Sequence, residues 1–95
     1  MNLRRQAEMR PCMIRLEGIC SHNDAQTVLA HVRLAGVTGA GQKAPDLLGA
    51  WACMHCHDEV DGRTRKFERD FVRLALFDAV MRTQFALIQE GKVRW

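Results

Sequence analysis

Residues 53–64 read CMHCHDEVDGRT, and the first five letters set the kind of domain this chain can be. Cys53 and Cys56 form a C-x2-C pair, a spacing at which one tight turn presents two thiolates to one metal ion. The only other cysteines are Cys12 and Cys20. Bringing these two together needs a hairpin-like excursion, and Gly18 offers the conformational freedom for its turn. A closed structural Zn²⁺ site takes four ligands, and this chain carries four thiols. Structural zinc on Cys12, Cys20, Cys53 and Cys56 is the expectation, against the alternative of four unrelated buried thiols.

Two other readings of the same letters are weaker. CMHCH fits the c-type haem signature C-x-x-C-H, but haem leaves Cys12 and Cys20 without a role, and no export signal is visible. A thioredoxin-like redox pair calls for a surrounding βαβ pattern, which is absent.

The length of 95 residues suits one domain, residues 1–95, near the small end of what folds alone, where a metal staple helps most. The composition is globular, 47% hydrophobic and 26% charged. MNLRRQAEMRPC is basic but lacks the apolar stretch of a secretory signal. No run approaches the 18 or so apolar residues of a membrane span. A cytoplasmic protein with no membrane partner is expected, and in that reducing compartment cysteines serve metals more often than disulfides. The net charge of +3 permits a nucleic-acid partner without requiring one.

The remaining elements follow from local pattern. Residues 3–10 read as a short basic helix stopped by Pro11. Residues 13–16 read as a first strand, and residues 27–34, TVLAHVRL, as a second that carries His31. GVTGAGQKAP (36–45) is a loop long enough to be functional, and LLGAWA (47–52) is an apolar lead-in to Cys53. A short helical turn is expected over 56–61, ended by Gly62, and one long helix over 67–90, stopped by Gly91. Phe67, Phe71, Leu74, Val80, Met81, Phe85 and Ile88 supply its apolar periodicity. Exposed apolar residues such as Phe77 or Leu87 could serve a homodimer. The fold class is small α+β.

His57 adjoins Cys56, so whatever turn holds the zinc also fixes this imidazole. Asp61 lies four residues on, and the two can share a divalent ion such as Mg²⁺, Mn²⁺ or Zn²⁺. The alternative is an exposed acidic helix start in which Asp58 and Glu59 face the macrodipole. His31, inside an apolar run, is either a core histidine or a general base. His55, inside the C-x2-C turn, is expected to point to solvent, and His22, close to Cys20, reads as a loop residue with zinc ligation as its fallback role.

Taken together, Cys12 and Cys20, a strand-borne histidine, a Gly-rich loop, an acid and C-x-x-C-H at a helix start resemble an HNH nuclease. More closely, LAHVRLAG, KAPDLLGAWAC and CMHCHDEVDGRT resemble the family of small prophage-encoded nucleases typified by YbcO. The resemblance implies a ββα-metal, treble-clef core braced by the four-cysteine zinc, with the long helix following. It implies that His31 is the general base, that Asp46 stands where the family's middle Asn holds the His-bearing loop, and that His57 binds a catalytic divalent ion with Asp61 as second ligand. The residue before the base, a metal ligand in many members, is here Ala30. Arg63, Arg65 and Lys66 would meet the phosphates of DNA. The implied function is a metal-dependent DNA endonuclease of phage or prophage DNA processing, recombination or repair. The alternative is a zinc-stabilised nucleic-acid-binding module without cleavage.

Overall fold

The computed structural model describes residues 2–38 and 44–94; half of the 36–45 loop therefore lies outside the described residues. The chain forms an α+β domain in which strands β1 (Val28–His31) and β2 (Gly49–Ala52) precede helices α1 (Met54–Val60) and α2 (Arg69–Gln89). The strands pair antiparallel, Val28 with Ala52 through His31 with Gly49. Glycine at 49 makes room for the Leu29 side chain, since a Cβ there would lie 2.7 Å from Leu29 Cγ and force it to shift. β1 is shorter than the expected 27–34. Its partner β2 comes from the segment expected only to lead into Cys53, and all four of its residues are buried.

The strand expected at 13–16 does not form. Met13 makes one ladder-like bond, N–H to the Trp51 carbonyl at 2.7 Å. Two residues later Arg15 takes φ 52°, which no strand accommodates. On the way, the Arg15 N–H reaches Cys12 Sγ at 3.4 Å, so the turn that ends the extended run serves the cysteine. The N-terminal helix is likewise reduced to one 3-10 turn, Arg5–Ala7.

α1 begins two residues earlier than expected, because the Cys53 side chain caps it by accepting the Cys56 N–H. α2 matches the expected extent closely. Glu68 caps its start by accepting from the Asp70 and Phe71 N–H groups, and Gly91 ends it at φ 73°.

The buried face of α2 is a different one from the face its large apolar residues suggest. Val72, Leu76, Ala79, Val80, Thr83 and Leu87 are buried, at helical steps of three and four. Phe71, Leu74, Met81 and Phe85 are each more than half exposed. Leu87 packs with Ala7 and Trp51, and Phe77 is half-buried against the core. Leu87 therefore cannot serve the dimer surface expected of it. The small residues decide the orientation, since Ala79 and Thr83 let β2 come close. Thr83 Oγ1 accepts the outward Trp51 N–H at 3.1 Å, satisfying a donor that β1 does not reach.

Trp51 is buried, with the Arg10 guanidinium 4.4 Å over its ring. Arg10 forks onto Glu90 at 2.5 and 2.7 Å, tying the N-terminal segment to the end of α2. Among the described residues no helix is long and apolar enough to cross a membrane.

Candidate active site

The four cysteines converge. One Sγ from each of Cys12, Cys20, Cys53 and Cys56 lies within 4.8 Å of the others, and Cys20 and Cys53 are 3.8 Å apart. Tetrahedral zinc with sulfur ligands at 2.3 Å requires S···S separations of about 3.8 Å, so the donor set fits zinc. Backbone N–H groups already point at the sulfurs, Ser21 and Cys56 onto Cys53 at 3.4 Å each, which favours thiolates. The thiols differ in acidity. The Cys56 hydrogen bond and the Arg15 amide hold Cys12 down to about 4, whereas burial pushes Cys20 up to about 11. Further ionisation of such close sulfurs needs a cation among them. Cys12, Cys53 and Cys56 also belong to the main hydrophobic core, so the site sits where it can brace the fold.

Along β1 a cleft of about 840 Å³ is lined by His31, His57 and Asp61, together with Arg4, Arg33 and Arg63. His31, the last residue of β1, places Nε2 2.7 Å from Asp46 Oδ1. Asp46 starts the 3-10 turn that delivers the chain into β2. The hydrogen bond from His31, aided by the charge of Arg4 at 3.4 Å, holds the Asp46 carboxyl below its ordinary value. An ionised carboxylate only accepts, so Nε2 carries the proton toward Asp46, and in the neutral form of the ring the lone pair is on Nδ1. Nothing local in the sequence announces Arg4, which reaches Asp46 from 42 residues away.

His57 and Asp61 face each other along α1, Nε2 to Oδ2 at 3.2 Å. Two neighbouring ligands of an octahedral ion at 2.0–2.1 Å lie about 3 Å apart, so the pair suits a divalent ion whose remaining positions fall to water and phosphate. Ala30 is fully buried in the core and contributes packing. Arg63 reaches Asp58 at 3.1 Å and Asp61 at 3.4 Å, placing its charge in the cleft. Arg65 and Lys66 are exposed but do not line it.

Residues 1–92 match the family described as "Putative nuclease YbcO". The chain belongs to the YbcO family. Proteins of that description from Escherichia coli K12 and from Enterobacteria phage 82 are each 39% identical over 93 residues, covering 98% of this chain and 97% of theirs. A solved structure described as "Structure of a putative bacteriophage protein from Escherichia coli str. K-12 substr. MG1655" matches with a TM-score of 0.82 at 33% identity. It covers 95% of this chain and 100% of that one.

One residue of this YbcO-family chain departs from its sequence reading. Glu59, which the alternative reading of this segment put on an exposed helix start, is completely buried. Burial pushes its carboxyl up, but the Thr64 hydroxyl at 2.6 Å, the Phe67 and Lys66 N–H groups and Arg69 at 2.6 Å outweigh it and hold it at about 2. This carboxylate gathers the 64–69 connection around itself, fixing α1 against the start of α2 and so the direction in which His57 and Asp61 face.

Proposed function

We propose that this chain is a metal-dependent, HNH-like nuclease that hydrolyses phosphodiester bonds in DNA, in the context of phage or prophage DNA processing. The observation that carries the reading is that His31 and the His57–Asp61 pair line one cleft, apart from the four cysteines, which form a separate cluster. The chain order β1, β2, α1, with one histidine ending β1, His57 on α1 and Asp61 capping its end, supports a ββα-metal core. The nuclease description of the family and of its relatives in a bacterium and a phage supports the same class of reaction.

In this reading His31 Nδ1 takes a proton from a water molecule lying against phosphorus. The resulting hydroxide forms the new P–O bond as the bond to the bridging oxygen breaks. Asp46 holds the imidazole in the tautomer that leaves Nδ1 free and stabilises the imidazolium once the proton arrives. His57 and Asp61 would hold a divalent ion, whose positive charge would offset the charge that develops on the departing oxygen. Arg33 and Arg63 neutralise the non-bridging oxygens and the neighbouring phosphate, and zinc on the four cysteines holds the scaffold alone.

A plasmid-nicking assay with Mg²⁺, Mn²⁺ or Zn²⁺ tests the reading, with His57→Ala beside the parent. The variant should keep one zinc per chain, bind Mn²⁺ more weakly by calorimetry, and retain DNA binding while cleavage falls about 100-fold or more. A parent that binds DNA and never cuts it would leave the non-catalytic binding module as the function. Loss of the structural zinc from His57→Ala would place that histidine in the cysteine site.

A further inference from the structure

A second, smaller pocket of about 170 Å³ opens between the end of β1, the end of α1 and the first half of α2. His31, Arg33 and Asp61 line both it and the larger cleft. The reacting phosphate of the proposed function would therefore sit where the two meet. Val60, Val72 and Leu76 supply an apolar floor. Phe77 and Arg73 also line the pocket, with the Arg73 guanidinium 5.2 Å from the Phe77 ring centroid. Arg69 also borders the pocket, but its guanidinium is committed to Glu59 at 2.6 Å.

The chemistry of this lining is specific. An apolar floor, an aromatic face and a planar cation suit a flat, π-bearing group. Arginines at the rim suit a group attached to phosphate. A nucleotide base combines the two requirements. The walls enclose space on the scale of one such base, and a base in a duplex is paired and stacked, so entering would require flipping it out at a cost of a few kcal/mol. An unpaired base avoids that cost.

We infer that this pocket takes the base of an unpaired nucleotide next to the phosphate at His31, so that the substrate is single-stranded or locally unpaired nucleic acid. The inference rests on the nuclease reading and adds the form of the substrate to it. It also gives a role to Phe77 and Arg73, which the hydrolytic chemistry leaves unused.

The test uses the zinc-loaded full chain in Ca²⁺, with a short single-stranded oligonucleotide carrying 2-aminopurine and the matching duplex. The parent should bind the single strand more tightly and change the 2-aminopurine emission on binding. Phe77→Leu keeps an apolar side chain without the π face, and Arg73→Gln alters an exposed residue. Each should weaken single-strand binding about tenfold and duplex binding less than twofold, with zinc content unchanged. If Phe77→Leu fails to fold, Arg73→Gln decides alone. Equal weakening of both forms would make Arg73 a plain phosphate contact and overturn the pocket. A parent that cuts DNA but binds duplex as tightly as single strand, with silent 2-aminopurine, overturns the pocket and leaves the nuclease reading standing. A parent that neither binds nor cuts either form overturns both.

Discussion

His31 Nε2 and Asp46 Oδ1 lie 2.7 Å apart, joining the last residue of β1 to the turn that begins β2. The two strands are thus tied at the cleft end by a side-chain bond as well as by their ladder. The bond sets which imidazole nitrogen is free, and Arg4 backs the carboxylate from the N-terminal segment.

Asp46→Ala should leave zinc content and melting temperature nearly unchanged, because the carboxylate is a third exposed and its bonds are superficial. Cleavage should fall about 10- to 100-fold, the range for losing a partner that orients a histidine. His31→Ala should remove about 100-fold or more. The double variant should be no worse than His31→Ala, since Asp46 acts through that ring; additive losses would show an independent role for the carboxylate.

Cys53→Ser should lose the zinc and with it the fold. Apparent zinc-binding free energies of roughly 10–16 kcal/mol feed directly into folding of such small domains. Elemental analysis should find one zinc per parent chain and none in the variant, whose circular dichroism should show the helices melted. A parent purified under reducing conditions without zinc, yet folded, would refute the site.

Glu59 and Glu90 are both held at about 2, against 4.5 ordinarily. Burial opposes the first and its ring of donors prevails; the Arg10 hydrogen bond leads for the second. Their folded values are depressed, so the stabilisation is fully present above about pH 4.5 and is lost as the pH falls through the window down to about 2. Glu59→Gln should lower the melting temperature at pH 7 by on the order of 10 °C. The gap to the parent should close as the pH drops through that window. A constant gap would mean that packing, not ionisation, is what Glu59 contributes.

Thr83→Val keeps the side-chain volume but removes the acceptor for the buried Trp51 N–H. An unsatisfied buried donor costs about 1–3 kcal/mol, and in a domain of this size that is a loss of roughly 5–20 °C in melting temperature. Urea unfolding of parent and variant measures it directly. Zinc content should not change, because Thr83 lies on the face of α2 toward Trp51, whose cluster with Ala7 and Leu87 is separate from the cysteine core.

What could be read without a structure was whatever neighbouring residues determine. The identity of the four cysteines, the short helix beside the C-x2-C pair, and the extent of α2 up to its stop at Gly91 all depend on contacts a few residues long. The face that α2 buries could not be read. The helix is apolar on nearly every side, so periodicity alone gave no direction, and the choice fell to Ala79 and Thr83, whose small size admits β2. β2 itself was hidden because four residues become a strand only when β1, Thr83 and Met13 take up their hydrogen bonds. The same holds for the site. His31, Asp46, His57 and Asp61 were each identifiable as candidates, but the bond between the first two crosses 15 residues, and the carboxylate of Glu59 reached burial only because the 64–69 connection folds back to supply its donors. Side-chain type is written locally, whereas pairing, burial and the direction a group faces are fixed by how distant segments pack.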